Sequence, residues 1–283
     1  MARQRGVEPQ VVALSAEIGG VNRFGDWLGC RTLHSRLRPV PLDEGVMDSE
    51  GFFQHLDGRG LVQFERLLNM EKPREARIGR EVPGIVGELV AELVYKGEKV
   101  LAFRNTKRCA SEFAARLAAA LGRAAAKDAT RSLLRGDQSR VSKNLQRALR
   151  GGVAFHAGDL SREERAVVER EFREPHRPVR VLVATSTVAS GVNTPAETVI
   201  VAETRYAGPR GRPFSVATYK NMAGRAGRVG YAPRGRSILI GRAWEPQPAV
   251  RPICPGRAWT RPVVIRRKRS RDLDPPASRA SAF

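Results

Sequence analysis

The sequence predicts an α/β fold built on a doubly wound parallel sheet. Short apolar runs rich in β-branched residues recur along the first 241 residues, and segments with helical spacing separate them. Runs without polar alternation are typical of strands that are buried on both faces of a parallel sheet. The regular alternation of such strands with helices favours the α/β class over all-β or all-α folds.

The chain order of the elements follows from these runs. Strands are predicted over residues 11–14, 99–103, 152–155, 179–184, 198–202 and 237–240. Apolar side chains recur at helical spacing from Ala110 to Leu121, and Gly122 supplies a stop signal. Ser161 and Glu164 have capping-box spacing, which predicts a helix to about Phe172. The polar stretch 123–150 is predicted to be a helical insertion.

Charge is the most unusual property of the composition. The chain has 283 residues, with 50 Lys and Arg against 29 Asp and Glu, for a net charge of +21. Such an excess indicates a polyanionic partner, usually nucleic acid, although an arginine-rich genomic composition has the same effect. Residues 242–283 are rich in Pro and Arg and are predicted to be disordered. This tail is either an electrostatic arm for nucleic acid or inert.

Several classes of protein are excluded. The sequence has no apolar run long enough for a membrane span and no secretory leader pattern at its start. Its three cysteines, Cys30, Cys109 and Cys254, are too far apart in sequence to indicate a disulfide framework or a zinc ribbon. A reducing, cytoplasmic location is therefore expected.

Two segments carry residues suited to phosphate chemistry. Thr185 and the hydroxyl-rich residues after it follow a predicted strand, where ligands bind in parallel sheets. Such hydroxyls also cap helices for structural reasons. Arg225 and Arg228 are three residues apart and are expected on one face of a helix end, with small residues between them that let another surface approach. Guanidinium groups form fork contacts with phosphate, although a solvated basic turn is the alternative.

Taken in order, the motifs resemble those of superfamily 2 DEAD/DEAH-box ATP-dependent helicases. The likeness is strongest to the branch of Ski-type RNA helicases and archaeal-type DNA repair helicases. The matching segments are L-S-A-E-I-G-G at 14–20 (motif III), R-P-V-P-L at 38–42 (the connection between motor domains), V-L-A-F-R-N-T at 100–106 (motif IV), V-A-F-H-A-G at 153–158 (the next motif), 181–196 (motif V) and 219–228 (motif VI). The resemblance implies a RecA-like second motor domain that acts on single-stranded DNA or RNA and moves 3′ to 5′.

The resemblance also implies roles for individual residues. The arginine fingers of catalysis are Arg225 and Arg228. The residues that approach the nucleotide are Gly191, Asn193 and Asn221. The residues on the nucleic-acid side are Arg104, Asn105, Thr106, His156, Thr185 and Ser186. Ser15 and Ala16 couple hydrolysis to strand movement, but Glu17 follows them where the family usually has Thr. For His156, a structural role is an equal alternative, and no metal ligand is predicted in this chain.

The family's phosphate loop and acidic metal site are not found in the sequence. No Lys is followed by Ser or Thr, and the one Asp-Glu pair, Asp43-Glu44, follows motif III and is expected to be a solvated turn. ATP and Mg²⁺ are therefore expected only in an intact enzyme, whose first motor domain lies upstream. We expect a motor-one remnant at 1–37, the second motor domain at 38–241 and the tail at 242–283. The alternatives are an inactive nucleic-acid-binding fragment or a gene fragment without independent function.

Overall fold

In a computed structural model of the chain, the structure describes residues 26–27, 29, 31, 38–57, 59–69, 84–133, 139–186, 194, 196–208, 211–227, 230 and 232–241. Within these residues, eight strands form one sheet. They are β1 (Leu42–Met47), β2 (Phe52–Leu56), β3 (Val62–Arg66), β4 (Val100–Arg104), β5 (Val153–His156), β6 (Val181–Thr185), β7 (Thr198–Val201) and β8 (Gly235–Ile240). Six helices accompany them in the described part of the chain: α1 (Ile85–Tyr95), α2 (Lys107–Leu121), α3 (Lys127–Leu133), α4 (Arg140–Arg150), α5 (Arg162–Arg173) and α6 (Val216–Ala223).

The sheet has the order β3-β2-β1-β8-β7-β4-β6-β5. Six neighbouring strands run parallel to one another: β1, β8, β7, β4, β6 and β5. Strands β2 and β3 add an antiparallel hairpin beside β1. Helices α2 and α4 pack against each other and against β5, whereas α5 packs against β5 on the opposite face, where Glu169 reaches His156. Helix α3 contacts both α4 and α5, and α6 contacts β7. The predicted doubly wound α/β fold is therefore confirmed.

The central strands hold the core. Residues of β4, β5, β6 and β7 are almost all buried, as expected for parallel strands covered by helices on both faces. Five of the six predicted strands are observed with small shifts at their ends. The sixth, at 11–14, lies outside the described residues, as do most of the expected motor-one remnant and the tail at 242–283.

Two predicted helix boundaries are confirmed. Helix α2 begins after Thr106, whose hydroxyl oxygen accepts a hydrogen bond from the Cys109 N–H at 3.0 Å, and ends at Gly122, which has a φ of 52°. Helix α5 begins with the predicted capping box at Ser161. Helix α4 lies within the stretch 123–150 that was predicted to be an insertion. It packs on α2 and buries its apolar side in the core, so this stretch is part of the helical layer.

The expectation that Asp43 and Glu44 form a solvated turn is wrong. Both lie in β1, and the Asp43 side chain is only 6% exposed. An Asp43 carboxylate oxygen accepts a hydrogen bond from the Arg234 guanidinium at 2.7 Å, and Glu44 accepts one from Lys220 Nζ at 2.6 Å. These cations neutralise the two acids, although Oε1 of Glu44 is buried without a hydrogen-bond partner among the described residues, so β1 can lie between β2 and β8 despite its low strand propensity.

Among the described residues, no helix has the length and apolar composition needed to cross a lipid bilayer.

Candidate nucleic-acid and nucleotide sites

The carboxyl ends of β4 and β6 bring motif IV and the start of motif V together. Arg104 and Thr185 are the last residues of these adjacent parallel strands and are paired in register. Residues paired in register point to the same face of a sheet, so both side chains lie on the face that α2 covers. Asn105 and Thr106 continue from β4, and Ser186 continues from β6. We refer to this group as the strand-end site.

Arg104 is held by two contacts within the chain. Its Nε lies 2.8 Å from Oε1 of Glu203, and its guanidinium carbon lies 4.8 Å from the centre of the Phe113 ring on α2. Glu203 follows β7, the neighbour of β4 on its other side. Sequence reasoning missed this acid, because only the strand order brings it to Arg104. The carboxylate neutralises the arginine, and a bound phosphate would have to compete with it.

The start of α2 adds further polar groups to the strand-end site. The Thr106 hydroxyl caps the helix and retains its own hydrogen for donation. Oδ1 of Asn105 is buried without a hydrogen-bond partner among the described residues. An unsatisfied buried amide oxygen is costly, and a rotation of the amide would present its NH₂ group to an acceptor. The exposed Lys107 lies at the same helix end. These groups suit the oxygen atoms of a phosphate backbone.

The structure does not bring His156 together with Arg104 and Thr185. It ends β5, but it lies on the opposite face of the sheet, against α5, and is only 3% exposed. Its Nε2 lies 3.2 Å from Oε1 of Glu169. Burial lowers the pKa of His156, although Glu169 acts in the opposite direction. This environment favours a structural role, one of the two roles considered from the sequence.

The turn that carries Arg225 lies at the amino ends of the parallel strands, whereas the strand-end site lies at their carboxyl ends. We refer to these two sides of the sheet as the amino edge and the carboxyl edge. Helix α6 ends at Ala223, so the expectation that Arg225 occupies a helix end is wrong. After this helix, Ala226 forms a parallel bridge with Ala196, which precedes β7. The Ala196 N–H donates to the Arg225 carbonyl at 3.2 Å, and the Gly227 N–H donates to the Ala196 carbonyl at 2.9 Å. These bonds hold the Arg225 backbone beside the amino end of β7.

Glycines at this turn permit an unusually close approach of two backbone segments. Gly227 has a φ of 62°, and a Cβ atom there would lie 2.5 Å from Cα of Gly235, the first residue of β8. The Arg38 guanidinium also donates to the Ala226 carbonyl. The small residues around Arg225 thus accommodate another part of the same chain. The Arg225 side chain itself is half-buried, and Asn221 is exposed on the last turn of α6.

Motif V connects the two edges. It leaves β6 at Thr185, at the carboxyl edge, and reaches Ala196 at the amino edge beside the Arg225 turn. A five-residue strand separates these edges by about 16 Å. The predicted nucleotide residues Gly191 and Asn193 lie outside the described residues in this segment, and so do Arg228, Ser15 and Ala16. No cluster of acidic, His or Cys side chains suited to a metal ion is found in the described part of the chain.

Comparison with known proteins identifies the family of this chain. Residues 84–230 match the family described as the helicase conserved C-terminal domain. The ATP-dependent DNA helicase Hel308 of Pyrobaculum calidifontis is 33% identical over 249 residues, which are 85% of this chain and 32% of that protein. Hel308 of Pyrococcus abyssi is 34% identical over 242 residues, which cover 84% of this chain and 31% of the relative.

A third relative gives a similar result. Hel308 of Methanocella arvoryzae is 31% identical over 252 residues, or 86% of this chain and 32% of the relative. The chain thus spans about a third of the length of the curated relatives that it matches. The matched family covers the sheet from α1 to the Arg225 turn, which includes the strand-end site. The chain therefore belongs to the helicase C-terminal domain family of superfamily 2 and is homologous to the Hel308 DNA helicases.

Proposed function

We propose that this chain works as the second motor domain of an ATP-dependent DNA helicase. The observation that supports this most directly is the position of the two candidate sites at opposite ends of the parallel strands of one sheet. The strand-end site offers phosphate-binding groups at the carboxyl edge, and the Arg225 turn lies at the amino edge. Motif V joins the two. A motor domain needs such a connection, because it must convert a change at the nucleotide into a change at the strand.

At the strand-end site, Arg104, Asn105, Thr106, Thr185 and Ser186 would contact the backbone of one nucleic-acid strand. A phosphate that approaches Arg104 would take the place of Glu203, with which the guanidinium now pairs. Contacts of this kind position a strand without reading its bases, so sequence preference should be slight. DNA is the proposed substrate because the relatives are named as DNA helicases. His156 would support β5 rather than contact the strand.

At the amino edge, Arg225 and Arg228 would face the γ-phosphate of ATP. Arginine fingers in related phosphoryl transfers stabilise the charge of the transition state and contribute about 10³–10⁵ in rate. Gly191, Asn193 and Asn221 would lie beside the nucleotide. The described residues lack an acidic cluster for Mg²⁺, so the metal ligands and the phosphate loop would come from the first motor domain.

Coupling between the sites would depend on the rigidity of the sheet. The Arg225 turn is hydrogen-bonded to Ala196, and β4, β6 and β7 are buried between helices. When the arginines close on the nucleotide, the domain would move as one body and carry the strand-end site with it. Ser15 and Ala16 would transmit the change to the first motor domain.

The binding half of this proposal can be tested with the full chain and a fluorescent single strand of about 8 nucleotides. Arg104→Gln should weaken binding and reduce the magnitude of the log-log salt slope by about 0.7, the value expected for one single-strand phosphate. Arg131→Gln is a matched control, because Arg131 is also paired with an acid, Asp128, but lies on α3. Equal effects of the two changes would contradict the strand-end site.

The proposed nucleotide site at the Arg225 turn predicts that the chain alone does not hydrolyse ATP above background, with or without DNA. The arginines face only one side of a phosphoryl group, and the phosphate loop and metal ligands are expected on another domain. Hydrolysis can be measured by phosphate release over hours. DNA-stimulated hydrolysis by the isolated chain would show that this division of the site is wrong. Binding without turnover when a first motor domain is supplied would support the inactive nucleic-acid-binding alternative.

A further inference from the structure

Helix α4 carries a basic stripe that the strand-end site does not include. Its four members are Arg140, Lys143, Arg147 and Arg150, and all of them are exposed. Their spacing of three, four and three residues confines them to an arc of about 80° at 100° per residue. Leu145 and Leu149 are completely buried on the opposite side of the helix. The stripe is therefore the outward surface of the layer formed by α2 and α4.

The stripe has little acidic compensation among the described residues: Glu112 of α2 lies near Arg140 but pairs with Arg108. Helix α4 contains neither Asp nor Glu, and none of its four cations forms an ion pair in the described part of the chain. Neighbouring helices differ in this respect. Arg108 of α2 pairs with Glu112, and Arg131 of α3 pairs with Asp128. Four unpaired cations in one row repel one another, which an anionic partner would relieve.

A favourable interaction with the helix dipole explains only two of the four cations of the stripe. Arg147 and Arg150 lie in the last turn of α4, where cations interact favourably with the helix dipole. Arg140 is the first residue of the helix, and its first turn has no acid, which is the unfavourable arrangement. Helix α2 likewise begins with Lys107 and Arg108 and has no acid in its first turn. Cations at two adjacent helix starts are explained better by an external anion than by the helices.

The stripe is continuous with the strand-end site. Helices α2 and α4 pack against each other on one face of the sheet. The hydrogen bond from Arg108 is the main cause that lowers the pKa of Glu112 on α2, and the nearby charges of Arg116 and Arg140 lower it further, so Arg140 lies near the α2 surface. Helix α2 starts directly after Arg104, and α4 leads into β5, so both helices begin at the carboxyl edge. From Arg140 to Arg150 the stripe extends for about 15 Å, the rise of ten helical residues.

We infer that the α4 stripe is a second track for the nucleic-acid backbone, which binds the strand after it leaves the strand-end site. This inference rests on the proposed function, because the strand must first be present at Arg104. It predicts that a long strand gains affinity from α4 and that a short strand does not. The contacts are between cations and phosphates, so the gain should be independent of sequence and sensitive to salt.

The test uses the full chain and fluorescent oligo-dT of two lengths: about 8 nucleotides, which lies within the common range of about 4–16 for one single-strand site, and about 24 nucleotides, which exceeds it. The quadruple variant R140Q/K143Q/R147Q/R150Q should reduce the log-log salt slope for the long strand by about 2–3, at about 0.7 per phosphate lost. Binding of the short strand should be unchanged. Circular dichroism should show the same melting temperature as the parent within a few degrees, which confirms that the variant is folded.

The matched control removes four cations at the amino edge, with the variant R59Q/K96Q/R170Q/R173Q. It changes the net charge equally, so it measures the effect of the overall field. If the two variants lose the same amount of long-strand affinity and salt slope, the track is wrong. It is also wrong if the stripe variant binds the long strand as well as the parent does. Polyglutamate that displaces the long strand as well as unlabelled oligo-dT does would also overturn it, because the stripe would then suit an acidic protein surface. The short strand separates the two proposals. If Arg104→Gln leaves short-strand binding unchanged, the strand-end site fails and the track with it. If Arg104→Gln weakens short-strand binding but the stripe variant has no effect on the long strand, the track alone fails.

Discussion

Gly227→Ala should destabilise this domain more than an ordinary glycine substitution, because two separate costs arise at this position. The φ of Gly227 is 62°, a left-handed conformation that costs an L-residue about 1–2 kcal/mol. The new Cβ would also lie 2.5 Å from Cα and 2.6 Å from N of Gly235, and 3.0 Å from Cγ1 of Val40. Two of these atoms are backbone and cannot rotate away, so an overpacking cost of about 1–3 kcal/mol is added.

The chain offers a matched control for this prediction. Gly122 has a φ of 52° at the end of α2, and a Cβ there would meet no atom within 4 Å. Gly122→Ala therefore measures the left-handed cost alone. An extra cost of about 2 kcal/mol, the middle of the overpacking range, lowers the melting temperature of a domain this size by about 4–8 °C. Gly227→Ala should melt that much below Gly122→Ala.

The assay is thermal unfolding followed by circular dichroism, together with short-strand binding at a temperature where both variants are folded. Binding should be retained in both, because Gly227 and the strand-end site are at opposite edges of the sheet. Equal melting temperatures for the two alanine variants would refute the reasoning, since they would show that the Gly227–Gly235 contact does not constrain the Arg225 turn.

Three further predictions concern other parts of the chain. Lys99 is buried, its Nζ donates to two main-chain carbonyl oxygens, and burial lowers its pKa from 10.5 to about 8. Between these pH values the unfolded chain binds more protons than the folded chain, so the stability of the parent relative to Lys99→Met should rise with pH from 8 to 10.5. A difference in melting temperature that falls over this pH range would contradict the prediction. Glu203→Gln removes the acid that competes for Arg104, so it should tighten short-strand binding several-fold at low salt, and weaker binding in a titration would show that Glu203 instead orients the arginine. Limited proteolysis should leave a core of about residues 38–241 with an unchanged melting temperature, whereas unfolding on removal of residues 1–37 would show that this segment belongs to the domain.

The central strands could be predicted from sequence because burial on both faces leaves a local trace. Strands β4 to β8 are runs of apolar residues whatever their partners are. Strand β1 could not be recognised in this way. Its Asp43 and Glu44 are tolerated only because Arg234 and Lys220, 191 and 176 residues away in sequence, neutralise them. The hairpin of β2 and β3 depends in turn on β1 for its place in the sheet.

The candidate sites likewise contain some residues whose positions could be predicted from the sequence and others whose positions could not. Arg104 and Thr185 could be expected on the same side of the domain, because the resemblance assigns both to the nucleic-acid side, but their adjacency depends on β4 lying next to β6. The acid beside them, Glu203, could not be predicted, since its place depends on β7 lying next to β4. The Arg225 turn was placed wrongly at a helix end because the sequence pattern does not show where α6 stops. Its position is fixed by Ala196 and Gly235, which come from two other segments.

The central claim is that the arginines of this chain complete an ATP site formed with another motor domain. The direct measurement is DNA-stimulated ATP hydrolysis by the full chain joined to the first motor domain of a Hel308 relative. The parent fusion should hydrolyse ATP, and Arg225→Ala or Arg228→Ala should lower kcat by about 10³-fold or more while DNA binding is kept. The exposed Arg212→Ala should leave hydrolysis unchanged. Hydrolysis that survives the loss of Arg225 within a few-fold would contradict the claim.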